Sequence, residues 1–524
     1  MTRLPAAVRV VATVALTALA GWSTWGHWRH SADDAPDAAV DAVPLYLQGV
    51  ALREGSDPTD AATLAGIKAR PESGALRADV VSTLYPPSMA PPMALLVGSG
   101  WEVFLARWRG IVLAGFILGS AAAGWGGARG RNAPVAAASG AVIALTLFPL
   151  TAHALELGQA NLLIVGLLGV ATWAAARDRA ATAAGAAAIG VAVKLVPGIA
   201  LWPLLAARRW RALAASVGVG TVVLAITLTS IPAARVVANV LETIRFQQGV
   251  TPAWLTLFPG PILPFLGVFR FSPLGFITLV ITGLCAHTTR GREQAPGVLA
   301  AGMALLLAWL GTAASAVGVF YGLLLLPALI RLAVWPLGER APRWSWAFSA
   351  LALLPMLAVT ADDGVVLASF QMFLVGLGVW AASATKLLHQ AWPTIGRRER
   401  LAMLAAVVAA VGFSATMVAS APAFPEGTPG IGGVPAGPPG ERMPSSGEGG
   451  ARGEPQPPAG LPGEGGTPGA PPPIADRPTT PTNEPVPVLH LDPALDPDAD
   501  RPAGPPQGPP DQGGIPGAPP PKPQ

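Results

Sequence analysis

Charge is scarce in this chain. Only 12% of its 524 residues are Asp, Glu, Lys or Arg, against 52% hydrophobic. A soluble protein carries about 25% charged residues, so an ordinary water-soluble enzyme is excluded. Cysteine is nearly absent. The single Cys285 rules out an intramolecular disulfide and any cysteine-based metal site, and its apolar surroundings make it a small buried hydrophobe. No dense Lys/Arg stripe occurs, which argues against a nucleic-acid partner. No Walker-type phosphate loop is present, so nothing points to a nucleotide-binding site.

What remains is unevenly distributed. Of 56 prolines, 31 fall in residues 421–524. Residues 1–420 carry 29 Lys/Arg and 18 Asp/Glu, and the tail carries 5 and 12, so a body of net +11 is joined to a tail of net −7. The Pro/Gly-rich tail cannot bury enough apolar surface to offset the entropy of ordering its backbone, and it reads as disordered. Its glycines lack a three-residue period, which excludes collagen.

The body reads as membrane. An apolar run near Val8–Trp25, after Arg3 and Arg9, is long enough to span and has no clear cleavage site, so residues 1–28 read as a retained first helix with a cytoplasmic N-terminus. Residues 29–88 form a polar segment with nine acidic and five basic residues, expected as an outer loop. Residues 89–420 are apolar runs punctuated by arginine-rich breaks at 107–109, 129–131, 177–179, 208–211, 290–292, 340–343 and 397–400. At ~20 residues per span this gives roughly 11 to 13 transmembrane helices. Consecutive breaks cannot all be cytoplasmic if every intervening run crosses once. Some runs must therefore be broken or re-entrant; Ala181–Ala207 and Met89–Trp108, with prolines at the centre and the start, are the expected cases.

Ionisable groups within such a body are candidates for function, because a bilayer penalises them. Asp37 and Asp41 stand four apart just beyond the first span, which would place both on one helical face; either could act as a general base toward a substrate hydroxyl, and the pair could equally be a solvated acidic linker. Tyr85-Pro86-Pro87 presets an extended approach and a helix start. Gln159 and Asn161 lie between two apolar runs, as polar contacts or as local helix caps. Lys194 sits among Ala, Gly, Val, Ile and Leu, where it must snorkel, pair with an acid or meet an anion such as a lipid phosphate.

The order of these motifs resembles glycosyltransferase family 87, polytopic enzymes of the GT-C superfamily, over roughly residues 10–335. The resemblance is carried by Asp41, Tyr46, Gly49, Ala51, Leu52, Gly55, Asp57 and Pro58, then Tyr85, Pro86 and Pro87. Gly158, Gln159 and Asn161 follow, then Lys194 and Pro197 with the basic turn Arg208–Arg211, and more loosely Ser315, Tyr321 and Pro327. An aromatic residue usually follows the first Asp; here it is Ala42. Gln247 and Gln248 match the family's Asn/Gln-containing segment loosely, and the tail has no counterpart.

The resemblance implies an all-α, GT-C-like bundle in the cytoplasmic membrane of a bacterium, with the active site on its outer side. It implies an inverting transfer of a mannose-like hexose or arabinofuranose from a polyprenyl-phosphate donor to a lipid-linked or cell-envelope glycan. Asp41 is the expected base, with Asp37 in reserve. Lys194, Gln159, Asn161 and Tyr85 are expected at the donor phosphate, and Tyr46, Gln247, Gln248 and Tyr321 near the substrates. No tightly bound cofactor and no metal-ligand set is expected; membrane lipids are the expected surroundings. A secondary transporter or lipid flippase also tolerates broken helices and an intramembrane lysine, but no internal repeat is evident. A non-catalytic scaffold would instead tie function to the tail.

Overall fold

The structure is a computed structural model of the chain that describes residues 5–33, 39–70, 76, 85–98, 100–128, 130–147, 150–250, 273–315, 319–338, 341–353, 365–401, 404, 405, 408 and 409. The tail expected to be disordered lies outside these residues. Within them every regular element is helical: α1 Ala6–Asp33, α2 Val43–Arg53, α3 Ala61–Lys68, α4 Ala90–Leu96, α5 Trp101–Gly127, α6 Ala133–Val142, α7 Leu150–Glu156, α8 Asn161–Ala176, α9 Ala180–Val193, α10 Trp202–Ala206, α11 Trp210–Leu228, α12 Ala233–Val250, α13 Pro273–Thr288, α14 Ala295–Ser315, α15 Leu326–Ala333, α16 Ser345–Leu353 and α17 Val365–Ala391. The protein is an all-α polytopic membrane protein. Five of the described helices are long and apolar enough to cross a bilayer, the pair Gly130–Thr146 and Leu150–Glu156, bent by 67°, makes a sixth when counted as one span, and there are shorter apolar helices besides. The apolar runs thus come in two kinds, full-length spans and short paired pieces.

Burial separates the inner from the outer helices. The apolar stretch of α14 is 83% buried, whereas those of α1 and α11 are 6% and 17% buried. The exposed side chains of α1 and α11 include Trp22, Trp25, Val217 and Val222, as expected where lipid tails are the solvent. Between inner helices, small residues allow backbones to touch. A Cβ on Gly119 of α5 would lie 2.0 Å from the Gly166 carbonyl oxygen of α8, and one on Gly169 would lie 2.2 Å from that of Gly119. On the other side of α5, a Cβ on Gly124 would lie 2.1 Å from the Ala136 oxygen of α6. Packing this close fixes α5 against α6 and α8 through dispersion, since no hydrophobic gain is available between helices in lipid.

Apart from 107–109, the basic breaks gather on one face. Arg177 donates to the carbonyls of Trp125 and Ala128 at 3.2 and 3.3 Å. Arg209 pairs with Asp178 at 3.2 Å, and Asn132 donates to the Leu337 carbonyl at 3.0 Å. The His287 ring nitrogen Nδ1 lies 3.3 Å from the Ala206 carbonyl oxygen. A cavity with Gly127, Ala176, Glu293, Gly338 and Pro393 in its wall brings the later breaks to the same face.

The chain meets this arrangement by leaving and returning between breaks. From Arg179, α9 carries it away, and the 3-10 helix Val196–Leu201 with α10 brings it back to Arg208. The run 181–207 is therefore a hairpin broken at Lys194, whose extended backbone (φ −152°, ψ 143°) ends α9. Pro197 and Gly190 face each other across it, a Cβ on Gly190 lying 3.0 Å from that of Pro197. The run 89–108 is broken too, between α4 and α5, at Gly100 with φ +116°. At 1.5 Å per residue α8 and α9 reach about 24 and 21 Å, so both stop short of a ~30 Å hydrocarbon core.

Candidate active site

The far end of the bundle collects the polar residues. Its base is the loop between α7 and α8. Gln159 N–H donates to the Ala154 carbonyl at 2.9 Å and Gly158 N–H to that of Leu155 at 3.1 Å, with Gly158 at φ +68°. This is a Schellman closure of α7. Two α5 side chains complete it: Trp108 Nε1 donates to the Gly158 carbonyl at 2.8 Å, and Arg109 donates to the carbonyls of Leu155 and Glu156 at 3.2 and 2.7 Å. Arg109 is buried, so its charge is used on the carbonyls at the end of α7.

The turn before α2 rests on this loop. Asp41 N–H donates to the Leu157 carbonyl at 3.1 Å. Ala42, fully buried, packs on Gly158 so closely that a Cβ there would lie 2.7 Å from the Ala42 methyl. Gly158 is thus required for its backbone and for its missing side chain. An aromatic residue at position 42 would not fit this contact, which accounts for the alanine.

The turn and the loop together set four functional groups in a row. The Lys194 ammonium donates to Asn161 Oδ1 at 3.0 Å. Asn161 Nδ2 donates to Gln159 Oε1 at 2.9 Å. The Gln159 side chain hydrogen-bonds the Asp41 carboxylate. Each donor points the same way, from the cation toward the anion. The Tyr85 ring lies under the Lys194 ammonium, 5.5 Å from its centroid, and Ser88 ties that segment to α9 by donating to the Ala192 carbonyl at 2.6 Å. Burial raises the Asp41 carboxyl above its usual 3.8, while the Gln159 hydrogen bond and the positive fields of Lys194 and His153 pull it partway back. A partly buried carboxylate so tuned is a better proton acceptor near neutral pH.

This geometry decides between the local readings of the motif. Asn161 is the first residue of α8, and the cap before it, Ala160, makes no side-chain hydrogen bond. The Asn161 amide is therefore not a cap. Lys194 is at the apex of a hairpin and on the amide chain, which is not the geometry of a lysine merely snorkelling.

Other expected positions lie elsewhere. Tyr46 packs edge-on to Trp101 and Phe104, at 5.4 and 5.3 Å between ring centroids, and lines a separate cavity beside Arg53, Glu54 and Arg70. Asp37 lies outside the described residues. Gln247 and Gln248 fall on α12 and Tyr321 on the 3-10 helix Val319–Leu325, but their side chains are outside the described residues. Among the described residues no group of three His, Cys, Asp or Glu is placed to hold a metal ion.

Sequence reading missed three contributors. His153 adds its field at Asp41 and pairs with Glu156 at 3.0 Å; the i,i+3 spacing of the two was the available signal. Gln48, fully buried, donates to the Tyr85 carbonyl at 3.4 Å. Arg109 belongs to a break that looked like surface punctuation, and only the fold shows it capping α7.

No curated protein and no solved structure matches the chain. The model of glycosyltransferase family 87 matches residues 83–302. That stretch holds Tyr85, Gln159, Asn161 and Lys194, and Asp41 precedes it. Over residues 83–302 the chain is therefore similar to glycosyltransferase family 87.

Proposed function

We propose that this membrane glycosyltransferase moves a sugar from a polyprenyl-phosphate donor, carrying a mannose-like hexose or arabinofuranose, to a hydroxyl of a lipid-linked or cell-envelope glycan. The observation that carries the reading is the unbroken chain from the Lys194 ammonium through Asn161 and Gln159 to the Asp41 carboxylate. It places a cation suited to a phosphate and a carboxylate suited to a hydroxyl at opposite ends of one rigid unit.

Asp41 takes the proton of the acceptor hydroxyl as its oxygen attacks the anomeric carbon. The bond from that carbon to the donor's phosphate oxygen breaks, and its electron pair stays on the phosphate. Attack opposite the leaving group inverts the anomeric centre. Lys194 meets the charge that grows on the phosphate, and the amides hold Lys194 in place, so the stabilisation needs little reorganisation. The short helices α8 and α9 support this reading, because a recess below the membrane surface suits a donor whose phosphate sits at the interface and whose chain stays in lipid.

Orientation follows from charge. Arginine-rich loops stay in the cytoplasm, so the basic face is inside and the Asp41 end faces out of a bacterial inner membrane. The donor class is tested by presenting labelled polyprenyl-phosphate sugars to membranes that contain the full chain. Transfer from one of them to an endogenous glycan is the expected result. A correctly inserted protein that transfers nothing from any such donor overturns the reading and favours a transporter.

A further inference from the structure

A second charged site lies at the opposite end of the protein, apart from Asp41 and Lys194. There a cavity of about 340 Å³ opens on the basic face between the ends of α5, α15 and α17, with Arg331, Lys386, Trp335, Gln390 and Glu293 in its wall. Its volume is within the range of small-ligand sites. Arg331 and Lys386 are 3% and 4% exposed. Two cations buried side by side in an apolar body repel each other and lose hydration. Glu293, the carboxylate in that wall, is exposed on the rim.

Lys386 is held without a carboxylate. Its ammonium donates to the Arg331 carbonyl at 2.5 Å and sits 5.1 Å from the Trp335 ring centroid. Among the described residues no acid lies within ion-pair distance of it. An ammonium has three donors, so these contacts leave it capacity toward the cavity. Gln390 adds an amide whose Oε1 is buried without a partner. Glycine makes the room: a Cβ on Gly126 would lie 3.1 Å from the Arg331 guanidinium. Trp335 is braced by Trp344, 5.1 Å away and perpendicular, so the wall is rigid.

We propose that this cavity binds a phosphate-bearing anion, either a membrane lipid headgroup or free phosphate. A phosphate would replace the lost hydration of Lys386 with a charge-assisted hydrogen bond, and a hydroxyl of the phosphate or of the headgroup would donate to the orphaned Gln390 Oε1. The face is the one where anionic lipid headgroups and soluble phosphate are both within reach of a basic loop surface. The inference does not depend on the sugar-transfer reading.

The test uses the full chain, purified in detergent and in nanodiscs, with two variants, Lys386→Met and Gln390→Glu. The first removes the ammonium and keeps an apolar stem; the second keeps the lysine and puts a like charge against the ligand. One arm measures retention of phosphatidylglycerol against phosphatidylcholine by native mass spectrometry. The other measures equilibrium binding of radiolabelled orthophosphate to lipid-free protein. Saturable binding near one per chain, weakened about tenfold or more in both variants, is expected from losing one charged hydrogen bond. Retention of phosphatidylglycerol alone assigns a lipid headgroup, and orthophosphate binding alone assigns free phosphate. Absence of saturable binding in both arms, or equal binding by wild type and Gln390→Glu, overturns the proposal. Gln390→Glu decides the outcome if Lys386→Met does not remain monodisperse.

Discussion

Lys194 and Asn161 are 33 residues apart in sequence, yet the lysine ammonium donates to the asparagine oxygen at 3.0 Å. The contact joins the end of α9 to the start of α8, two helices that both stop short of a full membrane crossing. Asn161 then passes the alignment on to Gln159 and Asp41.

Lys194→Met should weaken use of the lipid donor. Removing a point-charge contact to a phosphate that gains charge in the transition state costs about 2–3 kcal/mol, or roughly 30- to 150-fold in kcat/KM. Lys194→Arg should recover part of this loss. Donor kinetics unchanged in Lys194→Met would make Lys194 a bystander.

The pH profile should report Asp41. Its carboxyl is raised above 3.8, and a base must be ionised, so the acid limb of kcat/KM lies above that value. Gln159→Leu removes a hydrogen bond that favours the carboxylate, so the limb should move to higher pH. A limb that stays in place or moves lower contradicts the assigned contact. The stability term has the opposite sense to a salt-bridged acid. The folded state binds this proton more tightly than the unfolded one, so the contribution is present below 3.8 and is lost as pH rises through the raised folded value. Asp41→Asn should remove that dependence, as followed by thermal melting across pH.

Gly158→Ala should displace the Asp41 turn. A Cβ at φ +68° costs about 1–2 kcal/mol in left-handed backbone, and it would also strike the Ala42 methyl. A misplacement near 1 Å costs about 100-fold in rate. Ala42→Gly in the same chain should restore part of the activity, because it relieves the overlap and leaves the backbone strain. Equal activity in the single and double variants would remove the Ala42 contact from the account.

Gly119→Ala should lower the melting temperature, since its Cβ would lie 2.0 Å from the Gly166 oxygen and the α5–α8 contact must open. Overpacking of this kind costs about 1–3 kcal/mol or more. Gly218→Ala on α11, with nothing within 4 Å of its Cβ, is the control and should melt like the wild type.

The membrane class was legible from the scarcity of charge, and the family from motif order. The positions of Asp41, Gln159, Asn161 and Lys194 were legible one by one, because an ionisable or amide group in an apolar run stands out. Their contact was not. It depends on the break at Lys194, which halves one apolar run into a hairpin, and on Gly158, whose turn aims Gln159 at Asp41. The puzzle of the basic breaks had the same origin. A hydropathy count treats each run as one crossing, whereas the fold sends the chain out and back between breaks. Tyr46 stands apart from this row: its ring packs against Trp101 and Phe104 and lines a separate cavity. The cation pair Arg331 and Lys386 was hidden by a separation of 55 residues.

The central claim is that Asp41 is the base. It is tested by single-turnover transfer from a labelled polyprenyl-phosphate sugar in membranes, comparing wild type with an Asp41→Asn protein of matched expression and melting. Loss of a general base predicts a fall of about 10²- to 10⁴-fold in the rate of the chemical step, with donor binding retained. An Asp41→Asn protein that transfers at the wild-type rate would contradict it.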